Sequence, residues 1–234
     1  MILLIVPAAA SCGAWTRATT FWKCSRRIAW TAPGSTRGAG GSFASLKPRP
    51  SPRPRNGAPP PRVALRAARE ADLARIAAIW NREVLCSDST TDTEPRDPAA
   101  QREWFARHGE RYPVVVVTVA SDGAERDGDV VVAYGSLSPY RSKPAFARTV
   151  EDSVYVAGEH RGAGLGGLIL AELIRRARAL EHHSIVARIT ARNVASLRLH
   201  ARHGFQPVGV ERESAFKLGR WHDVAIMQRR LESR

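Results

Sequence analysis

The chain has 234 residues and a formal net charge of +14 at pH 7, room for one generous domain with an extension or for two small ones. The first 69 residues hold twelve Lys and Arg and no Asp or Glu, so only +2 belongs to the remainder, and a near-neutral body gives no electrostatic case for a nucleic-acid partner. The three cysteines, Cys12, Cys24 and Cys86, have neither disulfide-framework nor metal-ligand spacing, and the apolar start Met1–Ala10 is about half of the ~20 residues a membrane-spanning helix needs.

Residues 1–61 open apolar, pass through Arg/Ser/Gly-rich sequence and end in a run dense in proline and arginine. Such a run cannot build a packed core and predicts an extended, disordered segment. Its composition fits an organellar transit peptide. It fits a secretory signal less well, because no basic residue precedes the apolar stretch, and it also fits translated GC-rich DNA upstream of a start near Val63. The remaining domain, 62–234, is expected to be soluble and cytoplasmic, or organellar if the extension is a transit peptide, with no membrane partner.

In that domain V-A-L-R-A-A predicts a strand. Leu73, Ile76, Ala77, Trp80 and Val84 then share one face of a helix. Cys86 to Arg96 reads as polar loop. Asp97 followed by Pro98 is an N-cap with proline in the first turn, opening a helix with Trp104 and Phe105 inward. Val114–Val119, nearly all β-branched, predicts a strand buried on both faces, and Val130–Ser138 its antiparallel return. A basic loop, Pro139–Arg148, leads to a strand over Val150–Val156. A helix follows from about Gly164 to Leu180, burying Leu165, Leu168, Ile169, Leu173 and Ala177. Ser184–Ile189 is a further strand, and Asn193 caps a helix that stops at Gly204. Phe205–Lys217 and His222–Arg229 finish the domain as strands joined by a turn at Gly219. The order β-α-α-β-β-β-α-β-α-β-β implies one α/β domain whose sheet is largely antiparallel rather than doubly wound.

Thr149–Gly167, T-V-E-D-S-V-Y-V-A-G-E-H-R-G-A-G-L-G-G, is the stretch most suited to chemistry. A strand carrying Glu151 runs into a basic, glycine-rich turn at a helix start, where unpaired amides and the helix dipole attract an anion. The dinucleotide fingerprint and the P-loop ending are both absent. On this stretch alone, a phosphate-binding turn and a plain glycine-rich connector both remain open.

The combination of segments resembles a known family. Arg161-Gly162-Ala163-Gly164-Leu165-Gly166 is similar to the [Q/R]-x-x-G-x-[G/A] loop of the GCN5-related N-acetyltransferases (GNAT), and Asn193 to Phe205 resembles their N-x-x-A…G-F segment. R-T-V-E-D-S-V-Y-V, the L-H before G-F and F-K-L-G-R-W-H-D-V resemble the phosphinothricin/methionine-sulfone acetyltransferase group within it, over roughly Val63 to Leu231. The resemblance implies a GNAT-type mixed sheet flanked by helices, acetyl-CoA as acyl donor with no metal, and a small amino acid or analogue as amine acceptor. A homodimer is also implied. Glu151 would be the general base, because an ammonium must lose a proton before it attacks a thioester. His200 stands where many members place a tyrosine that protonates the departing thiolate, with a structural histidine as the alternative. The donor would lie on Val154, Val156, Arg161, Gly162, Ala163, Gly164, Gly166, Asn193 and Ser196. Arg141 and Lys143 would hold the acceptor's acidic groups, with Phe146 and Thr91 nearby. Phe146 replaces the group's usual tyrosine and Thr91 its usual aromatic, which leaves phosphinothricin itself a doubtful acceptor. Two other readings stay open: an acetyltransferase for a polyamine, aminoglycoside or protein N-terminus, and a non-catalytic acyl-CoA-binding module. His182, His183, His203 and His222 are expected to be surface or structural residues. Lys217, Trp221 and His222 are expected to wall the pocket or to face a dimer partner.

Overall fold

The computed structural model describes residues 63–120 and 129–231. The expected extension over 1–61 and most of the link between the first antiparallel pair lie outside the described residues. The described elements are β1 (Val63–Ala67), α1 (Leu73–Cys86), α2 (Pro98–Ala106), β2 (Val114–Val119), β3 (Val130–Pro139), β4 (Thr149–Val156), α3 (Leu165–Ala179), β5 (Ser184–Thr190), α4 (Val194–Arg202), β6 (Gln206–Lys217) and β7 (Arg220–Arg230). They follow the order read from the sequence, with ends differing by a residue or two.

The strands form one seven-stranded sheet in the order β1-β2-β3-β4-β5-β7-β6. All neighbouring pairs are antiparallel except β4–β5, which is parallel. The sheet is covered on both faces. Val115, Val117, Val150, Ile185 and Ala187 pack with Ile169 and Leu173 of α3, while Val114, Val116 and Tyr134 pack with Ile76 and Trp80 of α1 and Trp104 of α2. Alternate valines of β2 thus enter different cores, which is why that strand reads as an unbroken apolar run.

Local chemistry sets the helix ends. The Asp97 side chain accepts from the Ala100 amide at 2.8 Å, with Pro98 in the first turn of α2. The Asn193 side chain accepts from the Ser196 amide at 3.1 Å, and Gly204, at φ 79°, ends α4. Leu218 and Gly219, at φ 51° and 73°, make the left-handed turn of the β6–β7 hairpin.

Some side chains depart from expectation. Leu168 is 47% exposed, because the buried stripe of α3 runs through Leu165, Ile169, Leu170, Leu173, Ile174 and Ala177 and position 168 falls to its side. In α1, Ile79 is buried where Ala77 was expected; Ala77 is half-buried. Arg176, also on α3, is half-buried against Glu172 at 2.7 Å. His182 and His222 are buried, accepted by the carbonyls of Arg111 and Lys217 at 3.0 Å each, and so belong to the structural alternative.

Helix α3 sits close on the sheet at Gly135. A Cβ there would meet Ile169 Cγ2 at 2.3 Å and the Ser153 carbonyl oxygen at 2.8 Å. Backbone cannot yield as a side-chain tip can, so Gly135→Ala is expected to lower unfolding stability by roughly 1–3 kcal/mol, read by urea denaturation; unchanged stability would show that α3 rides more loosely than this packing implies.

Candidate active site

β4 and β5 pair only over Thr149–Glu151 and Ser184–Val186. Beyond that point the strands part, while β4 stays paired with β3 as far as Val156 and β5 with β7 as far as Thr190. Each strand is therefore held rigidly on its outer side and leaves an edge of backbone polar groups facing the gap. The result is a cleft of about 520 Å³, floored by β4 and β5, with the glycine turn before α3 on one side and the start of α4 on another.

Strand alternation divides the chemistry of the cleft. Glu151 is aligned with Val186, on the sheet face toward α1 and α2, whereas Val150 and Ile185 face the α3 core. Asp152 shares the face of Val150 and meets His200 from α4. Two neighbouring carboxylates thus serve opposite faces of one strand. Glu151 is half-buried, and burial is the main cause that pushes its carboxyl above the usual glutamate range. Arg188 pulls it back, while the charges of Asp152, Asp92 and Glu211 push it further up. Tyr155, also lining the cleft, is pushed up to about 12, mainly by burial, and so stays a phenol at neutral pH.

His200 is 3% exposed. Its Nδ1 lies 2.8 Å from the Ser196 carbonyl, which only accepts, and its Nε2 lies 3.0 Å from Asp152 Oδ2. Two acceptors on one ring favour the imidazolium. Burial, the largest influence, works against that charge; the hydrogen bond and charge of Asp152 and the Ser196 carbonyl outweigh it, and the ring ends above its ordinary 6.5. Phe205 stacks edge-on against the ring at 5.0 Å. Delivering a proton from Nε2 to a leaving group therefore requires exchange of the Asp152 bond.

At the turn, Gly162 and Gly164 have φ of 83° and 81°, and a Cβ on either would meet nothing within 4 Å. These left-handed residues leave open space at the start of α3, where the unpaired first amides of a helix are the donors suited to a diphosphate. Gly166 is confined instead, its virtual Cβ lying 3.2 Å from Leu199 and 3.8 Å from Val154 and Val156. Arg161 lines the cleft, but its guanidinium is bound to Glu83 of α1 and donates to the Val156 carbonyl at 3.2 Å. Its charge is thus already matched, leaving the amides and helix dipole as the free anion-attracting elements of the turn.

Of the residues expected from sequence, the cleft gathers Glu151, His200, Val154, Val156, Arg161, Gly162, Gly164, Gly166, Asn193, Ser196 and Thr91. Ala163, Arg141, Lys143 and Phe146 are not among its lining residues. Arg141 and Lys143 are exposed on the β3–β4 loop, where the Arg141 guanidinium lies 4.9 Å from the Tyr140 ring and 5.8 Å from that of Phe146. Lys217 neither lines this cleft nor faces outward. It is buried, and its ammonium donates to the carbonyls of Glu83 at 3.2 Å and Thr90 at 2.8 Å, bracing the loop after α1. Sequence reasoning missed Asp152, Glu83 and Arg188. The last was signalled by a lone charge within the apolar run S-I-V-A-R-I-T.

The Asp152–His200 pair links stability to pH. With the folded His200 value raised, its stabilising contribution is full below about 6.5, the unfolded value, and is lost as pH rises through the folded value. Denaturation midpoints should therefore fall as pH rises from about 6.5, and Asp152→Asn should flatten that slope; an equal slope in the variant would separate His200 protonation from Asp152.

Residues 75–205 match the model of the Acetyltransferase (GNAT) family. The chain is 40% identical over 169 residues to a phosphinothricin N-acetyltransferase of Streptomyces coelicolor, covering 72% of this chain and 96% of that protein. It is 41% identical over 171 residues to an L-methionine sulfoximine/L-methionine sulfone acetyltransferase of Pseudomonas paraeruginosa, covering 73% and 95%. A solved structure of a GNAT superfamily phosphinothricin acetyltransferase from Sinorhizobium meliloti, in complex with AcCoA, superposes with a TM-score of 0.66 at 35% identity, covering 72% of this chain and 88% of that one. With the family model spanning more than half of the sequence and such relatives matched nearly end to end, this chain belongs to the GNAT family and is an N-acetyltransferase whose acyl donor is acetyl-CoA.

Proposed function

We propose that the acceptor is the primary amine of a small amino acid or amino-acid analogue of the methionine sulfone, methionine sulfoximine or phosphinothricin type. What supports this reading most is that one cleft holds both a basic carboxylate, Glu151, and the open glycine turn. The names of the relatives agree with it. In this reading the amides around Gly162, Gly164 and Gly166 hold the donor's diphosphate, and the edge of β4 at Val154 receives its amide-bearing arm, next to Val156, whose carbonyl already accepts from Arg161. Asn193 and Ser196 bound the same side. Glu151 takes a proton from the acceptor ammonium, directly or through water. The freed lone pair attacks the thioester carbonyl, and the tetrahedral adduct gives its second N–H proton to water and collapses to amide and thiolate. His200, held as an imidazolium by Asp152, is the proposed proton source for that thiolate through exchange of its Asp152 bond. Holding amine and thioester together supplies much of the rate in such transfers.

Free-thiol release across amino acids, methionine sulfone, methionine sulfoximine, phosphinothricin and polyamines tests the acceptor class. Amino-acid-like acceptors should turn over and polyamines should not, and the reverse pattern would overturn the reading. Glu151→Gln should keep acetyl-CoA binding while losing about 10²–10⁴ in kcat. In the wild type the acid limb of kcat/KM should lie above the ordinary glutamate range, because the raised carboxyl must ionise to act and activity falls as pH drops through its value. Undiminished turnover in the variant would remove Glu151 from the mechanism.

We also propose a homodimer joined through the β6–β7 hairpin. Val208, Phe216, Leu218 and Trp221 are all more than half exposed, and Phe216 and Trp221 pair across the hairpin with ring centroids 5.2 Å apart. Exposed apolar side chains at the tip of the hairpin, with Val208 farther along the edge strand β6, favour a covering partner. Trp221→Glu should halve the mass seen by sedimentation equilibrium; a monomeric wild type would refute the dimer.

A further inference from the structure

An amino-acid acceptor brings a carboxylate as well as an amine, and the cations expected to meet it, Arg141 and Lys143, do not line the cleft. A different cation does. Arg188 projects from β5, whose alternate residues Ile185, Ala187 and Ile189 are buried in the α3 core. Val186 and Arg188 therefore share the opposite face, which is the face of Glu151, since Glu151 and Val186 are directly aligned. Two residues along β5 is about 6.6 Å at ~3.3 Å per residue. That offset suits a molecule whose ammonium meets one carboxylate and whose own carboxylate meets a guanidinium. The neighbouring loop is fixed from the same strand, because Thr190 donates to the Asp88 carbonyl at 2.8 Å.

Arg188 is already engaged on one edge. Its Nη2 donates to Glu211 Oε2 of β6 at 2.8 Å, with the two side chains 39% and 37% exposed. A guanidinium carries five donors in a planar fork, so one carboxylate leaves donors for another. An ion pair this exposed is also weakly held and exchangeable. Glu211 thus occupies, from within the chain, the kind of contact an acidic ligand would make.

We propose that Arg188 is the specificity-determining cation that binds the α-carboxylate of the acceptor, and that Glu211 competes with the acceptor for it. This rests on the reading of the acceptor as an amino acid. The pair then acts as a filter: an acceptor carrying a carboxylate gains a charge-assisted contact that the same molecule with an amide in its place does not, and Glu211 repels carboxylates not aligned with Arg188.

The test uses the full chain, with methionine sulfone and its carboxamide as acceptors and thiol release as the readout. Arg188→Gln should raise KM for methionine sulfone about 10- to 100-fold, the range for losing a hydrogen bond to a charged group, and reduce the preference in kcat/KM for acid over amide to a similar degree. Acetyl-CoA Kd serves as the check on folding. Glu211→Gln should do the opposite and lower KM for methionine sulfone, because the competitor is gone while Arg188 stays. If the pair serves only to join β5 to β6, both substitutions shift KM in the same direction, and that outcome overturns the proposal, as does an unaltered acid-to-amide preference in Arg188→Gln. Should Arg188→Gln fail to bind acetyl-CoA, Glu211→Gln decides alone, and a KM equal to or above that of the wild type overturns the proposal. A wild type that acetylates neither compound nor any amino acid in the wider panel removes the amino-acid reading itself, and the proposal with it.

Discussion

The parting of β4 and β5 beyond Glu151 and Val186 is the constraint on which the site depends. In a sheet every buried amide and carbonyl needs a partner, so two adjacent strands that separate must each be secured elsewhere. β4 is secured by β3 and β5 by β7, both antiparallel and both extending beyond the branch point. The gap is therefore held open by structure on either side rather than by the absence of it. Its edges face each other across a space into which α3 and α4 present their N-termini.

The same branch point separates two tasks that adjacent residues could not share on a helix. Glu151 points to the face of α1 and α2, where partial burial keeps its carboxyl basic, and Asp152 points to the face of α3 and α4, where it holds His200. Moving β4 by one residue would exchange the two faces and place both carboxylates wrongly. The tight contact of α3 at Gly135 works against such a shift, since α3 also carries the glycine turn. Packing of one core thus fixes the positions of Glu151, the glycine turn and His200 together.

The loop after α1 is tied down at several points. Lys217 donates to Glu83 and Thr90, Thr190 to Asp88, and Arg220 pairs with Asp88 at 3.1 Å. Glu83 in turn binds Arg161 from the glycine turn. The end of α1 is therefore a junction between the loop that follows it, the glycine turn and the C-terminal hairpin. Buried charge of this kind is costly unless fully partnered, and here the partners come from four separate elements.

The sequence by itself determined the elements, their order and the family, because these depend on local signals: the 2.0 and 3.6 periodicities, the caps at Asp97 and Asn193, the left-handed glycines, and short motifs carried in register with them. It also singled out Glu151 and the glycine turn, which lie within one continuous stretch and which the fold brings to the same cleft. Residues whose roles depend on which strand neighbours which were not legible in this way. Asp152 looked like any second acid in E-D until α4 brought His200 to it. Lys217 read as a pocket wall or dimer contact, but the fold buries it beneath the loop after α1, and Arg188 was only an odd charge in an apolar strand until β4 and β5 were aligned. Arg141 and Lys143 carry the composition of an anion site but project from a loop outside the cleft. Sequence spacing cannot report such distances: β4 and β5 pair across an intervening helix, and only packing of α3 on the sheet decides which of their side chains share a face.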